Sequence, residues 1–202
     1  IKNSGFKNPM FCFHGVGGNV LNYISLLPAL NQERPLYAFQ SIGLDGESEP
    51  LLTIEEMALH YYRELKILKP EGPYILAGGS MGGLIALEVA RRLKAAGDEI
   101  EMLIMFDTFG PNFDLKKYQP NRKISLINRI YKSINYRLKI FFNLNLVRFR
   151  RNLGLKIPIK SLLVEIEHKN YNSIWNYHPR PYQGDIILIR SHLEEQGWYS
   201  DP

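Results

Sequence analysis

Short apolar runs alternate with amphipathic helical patterns along much of the chain. Five runs lead into glycine-containing or polar segments: "MFCFHGVGGN", "PLYAFQSIGLDG", "YILAGGS", "EMLIMFDT" and "DIILIR". Runs of this length that are bounded by turn residues predict buried strands.

Two helical patterns lie between these strands. The first begins with Thr53 and Glu56 as a capping box, ends at Pro70 and places on one face Ile54, Met57, Ala58, Tyr61, Leu65 and Leu68. The second covers about residues 81–96 and closes at Gly97. Apolar strands that alternate with helices predict an α/β fold, with a mostly parallel sheet covered by helices.

The alternation breaks after Thr108. Residues 111–182 have helical periodicity without a clear strand, and "DIILIR" then resumes the sheet. An insertion of this size predicts a helical lid over the strand ends. The core then consists of residues 1–110 and 183–202.

Composition agrees with one domain in the cytoplasm. The chain has 202 residues, of which 45% are hydrophobic, and this is enough for one sizeable core. We find no transmembrane run and no signal peptide, and a single cysteine, Cys12, excludes an internal disulfide. The net charge of the chain is +5, and the excess of basic residues lies in one segment: residues 116–160 hold 13 Lys and Arg and no Asp or Glu.

The segment "GGSMG" is the strongest chemical signal. It matches Gly78-x-Ser80-x-Gly82 between a predicted strand and a helix, which is the setting of a nucleophile elbow. A serine on such a turn projects its hydroxyl above the sheet, where the N–H of Met81 can stabilise an oxyanion. The simpler interpretation is a glycine-rich connection with a capping serine.

Two further segments support the catalytic interpretation. "HGVGGN" ends the first strand, and the N–H of Val16 or Gly17 is the candidate second oxyanion donor. Its histidine, His14, is predicted to position the loop rather than to act as the base. Asp107 directly follows an apolar strand and is placed to orient an imidazole, although a turn residue would also fit there.

These segments together resemble the thioesterase domains of nonribosomal peptide and polyketide synthases, which are α/β-hydrolases. The resemblance covers about residues 9–110 and rests on "FHGVGGNVLNYISLLPAL", "PLYAFQSIGLDGE", "TIEEMALHYYRELKILKPEGPYILAGGSMGG" and "FDT". It implies that Ser80 takes an acyl or peptidyl chain from the phosphopantetheine arm of a carrier protein. Water or a nucleophile within the chain then releases an acid or a macrocycle. The family needs no metal and no bound cofactor.

The resemblance expects the catalytic histidine after one more strand, beyond "GWYSDP". His60 lies in a predicted helix, and His168 and His178 lie late in the insertion. His192 follows the last predicted strand, but one strand too early for the family topology. We therefore expect the base to lie beyond Pro202, with His192 as the alternative.

The basic insertion has several interpretations. Lys and Arg between aromatic residues occur in nucleic-acid and membrane binding, but neither explains a nucleophile elbow. A solvated helical lid is the simplest interpretation, and docking of an acidic carrier protein at Arg148, Arg150 and Arg151 is the more specific one. The alternatives to a thioesterase are a carboxylesterase or lipase of the same fold and an inactive acyl-binding protein.

Overall fold

The five predicted strands form one parallel sheet. The structure is a computed structural model that describes residues 1–30, 33–108 and 126–190, with side chains in the last range from residue 135. The strands are β1 (Met10–Phe13), β2 (Leu36–Phe39), β3 (Tyr74–Gly79), β4 (Ile100–Phe106) and β5 (Ile187–Ile189). They pair in the order β2-β1-β3-β4-β5, every pair parallel. Parallel strands end at one common edge, and that edge carries the candidate residues.

The described helices are α1 (Ile54–Leu68), α2 (Met81–Ala95), α3 (Leu126–Asn152) and α4 (Ile159–Asn176), with a 3-10 helix at Leu21–Leu26. The predicted capping box is present at the start of α1, where the N–H of Glu56 donates to Thr53 Oγ1 at 3.1 Å. The prediction for Leu68 is wrong, because this last residue of α1 is 54% exposed.

The alternation of side chains along β1 and β3 builds a core on each face of the sheet. Phe11 and Leu76 face the layer that contains α1 and α2. Cys12 and Ala77 face the opposite layer, which includes Tyr23 from the 3-10 helix. Strands with both faces buried have continuous apolar runs, which explains why the sequence pattern was readable.

Helices α3 and α4 lie in the chain between β4 and β5. This agrees with a helical insertion, while the domain boundaries at 111–182 and the role as a lid stay predictions. Among the described residues, no helix is long and apolar enough to cross a bilayer.

Candidate active site

Ser80 lies at a strained turn between β3 and α2. Its backbone has φ 53° and ψ −121°, a conformation that non-glycine residues rarely adopt. The Ser80 N–H donates to the carbonyl of Phe106 at 2.7 Å, so β4 holds the turn in place. The side chain is exposed at the edge of the sheet. Strain at an exposed serine is what a nucleophile elbow requires.

The glycines around Ser80 allow the helix to pack closely against the strand. A Cβ on Gly78 would overlap the backbone carbonyl of Gly82, and a Cβ on Gly82 would overlap the carbonyl of Phe13. The sequence G-x-S-x-G is therefore a steric requirement of this turn.

Met81 is the first residue of α2. The first N–H groups of a helix have no acceptor within the helix, and they carry the positive end of its dipole. The Met81 N–H, next to Ser80 in the chain, has no acceptor in the described part of the chain and lies at the edge where the serine is exposed.

The loop after β1 contains a tight turn. The Gly18 N–H donates to the carbonyl of Gly15 at 2.9 Å. Neither the N–H of Val16 nor that of Gly17 donates to an acceptor among the described residues. The turn lies beside the elbow, because a Cβ on Gly15 would stand 3.5 Å from the carbonyl of Gly79.

His14 fixes this loop through hydrogen bonds of its ring nitrogens. Its Nδ1–H donates to the carbonyl of Gly15 at 2.8 Å, which makes Nε2 the acceptor for the Tyr61 hydroxyl at 2.8 Å. Burial lowers the pKa of His14 to about 4, and the bond to Gly15 offsets this only in part. A neutral His14 with both ring nitrogens engaged has the contacts predicted for a loop-positioning residue.

Tyr23 connects the two loops of the site. Its hydroxyl donates to the carbonyl of Phe13 at 2.5 Å and accepts from the N–H of Gly79 at 2.9 Å. It thereby extends the β1–β3 ladder to the residues that precede His14 and Ser80. Sequence analysis missed this role, since an apolar helical pattern around Tyr23 gives no sign of it.

Asp107 follows β4 next to the elbow, since Phe106 pairs with Gly79 in the sheet. Its φ is 45°, and its N–H donates to the carbonyl of Ile189 at 2.9 Å, so both β4 and β5 hold it. The neighbouring Thr108 donates its hydroxyl to the carbonyl of Ser80 at 3.0 Å. The sheet thus brings Ser80 and Asp107 to one edge.

The other described histidines contact residues away from the elbow. His60 packs edge-on against Tyr61, and His168 and His178 form their hydrogen-bond contacts with Asn172 and the carbonyl of Asn176. No described histidine is hydrogen-bonded to the serine hydroxyl. The candidate base His192 lies outside the described residues.

Helix α4 also reaches the loop after β1. Asn170, fully buried, donates from Nδ2 to the carbonyl of Val16 at 2.8 Å. In the sequence Asn170 is one polar residue in a helical pattern, and the contact spans 154 positions of chain. No sequence signal could have identified it.

The structure corrects the role of Arg151. Its guanidinium donates to both carboxylate oxygens of Glu165, at 2.8 and 3.2 Å, and its side chain is only 15% exposed. Arg150 donates to the carbonyl of Lys156 at 2.8 Å, whereas Arg148 is exposed. Arg151 therefore joins α3 to α4 and is not available to a docking partner.

Comparison with known proteins gives one family. A family model described as "Thioesterase domain" matches residues 8–135. A dimodular nonribosomal peptide synthase of Bacillus subtilis is 26% identical over 211 residues, covering 100% of this chain and 9% of the relative. Atromentin synthetase nps3 of Serpula lacrymans is 40% identical over 103 residues, covering 51% of this chain and 11% of the relative. The chain thus spans about a tenth of the length of these relatives.

A solved structure adds support at the level of the fold and the domain. The NocB thioesterase domain, in covalent complex with a fluorophosphonate nocardicin G analog, is 25% identical with a TM-score of 0.67. The match covers 95% of this chain and 75% of that structure.

Proposed function

This chain belongs to the thioesterase domain family, with an α/β-hydrolase fold, and from that premise we propose how its site performs serine hydrolase chemistry. Ser80 is the nucleophile, Asp107 orients the histidine base, and the N–H groups of Met81 and Val16 form the oxyanion hole. The observation that carries this proposal is the strained, exposed Ser80 at the end of β3, beside N–H groups that have no acceptor among the described residues.

The reaction has two halves. Ser80 Oγ attacks the carbonyl carbon of the thioester, and the histidine base accepts the hydroxyl proton. The oxyanion then collapses, the carbon–sulfur bond breaks, and the leaving thiolate takes the proton from the imidazolium. In the second half, water or a nucleophile of the acyl chain attacks the acyl ester, passes its proton through the same base and restores Ser80.

The histidine base is expected beside Asp107. Asp107 lies at the edge where β4 and β5 end, so an imidazole bonded to it would stand close to Ser80. The predicted base is a histidine that follows Pro202, and His192, three positions after β5, is the alternative.

We infer that the substrate arrives as an acyl or peptidyl thioester on the phosphopantetheine arm of a carrier protein. Two observations support this: the relatives include a dimodular nonribosomal peptide synthase, and α3 carries Arg and Lys without any acidic residue. A carrier within the same synthase would keep the thioester at high effective concentration.

Labelling of Ser80 tests the nucleophile. A fluorophosphonate should add to Ser80, detected by mass spectrometry of the protein containing this chain, and Ser80→Ala should abolish the adduct. Turnover of an acyl-pantetheine thioester should fall by at least ~10³-fold in Ser80→Ala, because the triad acts as one unit. Asp107→Asn should impair turnover severely while leaving the fold intact.

The outcomes separate the alternatives. Turnover that survives Ser80→Ala shows a different nucleophile. Faster turnover of simple oxygen esters than of thioesters indicates a carboxylesterase. An unlabelled Ser80 with tight acyl binding indicates an inactive acyl-binding protein. Loss of activity in His192→Ala assigns the base to His192, and full activity excludes it.

A further inference from the structure

The turn at Gly15–Gly18 leaves one peptide unit free to adopt either of two orientations. The bond from the Gly18 N–H to the Gly15 carbonyl closes the turn, and the Val16–Gly17 peptide lies at its centre. Type I and type II turns share this closing bond and differ in the direction of the central peptide. Type II requires a positive φ at Gly17, which glycine adopts without steric cost. Because the φ of Gly17 lies outside the left-handed region, the turn is of type I.

Asn170 of α4 bonds to this central peptide. Its Nδ2 donates to the carbonyl of Val16 at 2.8 Å. The helix is seated closely on the loop, since a Cβ on Gly18 would approach the Cγ2 of Ile166 to 2.6 Å. A rotation of the Val16–Gly17 peptide would break the Asn170 bond.

Asn170 is not explained by packing alone. It is fully buried, and its Oδ1 accepts no hydrogen bond from the described residues. A buried acceptor without a donor lowers stability, so an apolar residue of similar size would suit a purely packed position better. What the amide adds is the bond to Val16.

The direction of the Val16 carbonyl determines the direction of the next N–H. In a trans peptide the C=O and N–H point to opposite sides. With the carbonyl turned toward Asn170, the Gly17 N–H points away from α4, and it has no acceptor among the described residues. His14 has the same effect one peptide earlier, because its bond to the Gly15 carbonyl sets the direction of the Val16 N–H.

We propose that Asn170 is a positioning residue for the oxyanion hole: it holds the Val16–Gly17 peptide so that the Gly17 N–H, not the Val16 carbonyl, faces the oxygen of the reacting acyl group. This inference rests on the proposed role of Ser80. It adds Gly17 to the Val16 and Met81 donors and assigns the helical insertion a part in the chemical step.

The test uses Asn170→Leu, with Asn172→Leu as the matched control. Asn172 lies on the same helix, is exposed, and its amide contacts only His168 among the residues that the structure describes. With octanoyl-N-acetylcysteamine as the thioester, Asn170→Leu should lower kcat about tenfold, the loss expected if only about a tenth of the molecules keep the competent peptide orientation. KM should stay unchanged, since the oxyanion contact forms in the transition state. Asn172→Leu should keep the parental kcat.

A second substitution distinguishes orientation from packing. Gly17→Ala disfavours the positive φ that the rotated peptide needs, and its Cβ meets only an ordinary contact, 3.6 Å from Asn19 Nδ2. The double variant Gly17→Ala/Asn170→Leu should therefore have a kcat at least threefold higher than that of Asn170→Leu alone, by the same population argument.

Three results would overturn the proposal. The first is a parental kcat in Asn170→Leu, and the second is no rise in kcat when Gly17→Ala is added. The third is a fall in kcat that is fully accounted for by lost stability, seen as a Tm of Asn170→Leu below that of Asn172→Leu. Ser80→Ala is run alongside: if it leaves turnover intact, the nucleophile is wrong, whereas its inactivity together with an active Asn170→Leu rejects the positioning role alone.

Discussion

Removal of one hydroxyl group, in Tyr23→Phe, should loosen the nucleophile elbow without altering its sequence. The Tyr23 side chain is 4% exposed, and its hydroxyl joins the Gly79 N–H to the Phe13 carbonyl. Phenylalanine fills nearly the same space but leaves both backbone groups without this partner.

The magnitude follows from these two groups. The Gly79 N–H loses its acceptor in a partly buried setting, which costs about 1–3 kcal/mol. The Phe13 carbonyl retains a second lone pair and adds less. We expect the free energy of unfolding to fall by about 2–3 kcal/mol, equivalent to a drop in Tm of roughly 5–10 °C for a chain of this size.

Three measurements test this prediction against Tyr171→Phe, an exposed tyrosine whose hydroxyl makes no hydrogen bond with the described residues. Urea unfolding gives the stability change, hydrogen exchange of the Gly79 amide reports the local opening, and labelling of Ser80 reports the elbow. We expect a faster Gly79 exchange and slower labelling in Tyr23→Phe only. A stability change below about 0.5 kcal/mol, with unchanged Gly79 exchange, would refute the reasoning.

Three further predictions concern the turn, the basic helix and the buried histidine. Gly78→Ala should abolish labelling of the serine and lower Tm, because its Cβ overlaps the helix backbone; a labelled, parental-stability variant would contradict the close approach. Arg148→Glu should slow acyl transfer from a carrier protein but not from a small thioester, whereas Arg63→Glu, exposed on α1, should alter neither; equal loss on both substrates would exclude docking. The pKa of His14 is about 4 in the folded protein and about 6.5 in the unfolded chain, so the unfolded state binds more protons between pH 6.5 and pH 4. Stability should therefore fall by up to about 3 kcal/mol from pH 6.5 to 4, and urea unfolding of His14→Asn across this range should show a smaller fall.

The sequence predicted the features that arise from local chemistry. Strands β1 and β3 were readable because both of their faces are buried, whereas the apolar residues of β5 are exposed in the described part of the chain. The start of α1 was readable because Thr53 and Glu56 satisfy its N-terminal backbone groups. The turn at Ser80 was predictable for a steric reason, since a Cβ at Gly78 or Gly82 would overlap backbone atoms. The error at Leu68 lies within the last turn of α1, where Leu65 is fully buried but Leu68 is 54% exposed.

The residues that hold the site together could not be predicted in this way, because each acts on a backbone group far away in the chain. The Tyr23 hydroxyl accepts a hydrogen bond from the Gly79 N–H, 56 positions later, and the Asn170 amide donates to the Val16 carbonyl across 154 positions. Every residue has a backbone carbonyl, so the residue type at Val16 does not indicate which donor its carbonyl binds. The glycine-rich loop adds a second difficulty, since Gly17 permits both orientations of the central peptide and the local sequence selects neither. We propose that α4 makes this choice through the Asn170 amide, which lies against the loop. If Val16 and Gly17 act as proposed, the geometry of the oxyanion hole depends on tertiary contacts, and a substitution in α4 should change the rate of the chemical step without touching the substrate.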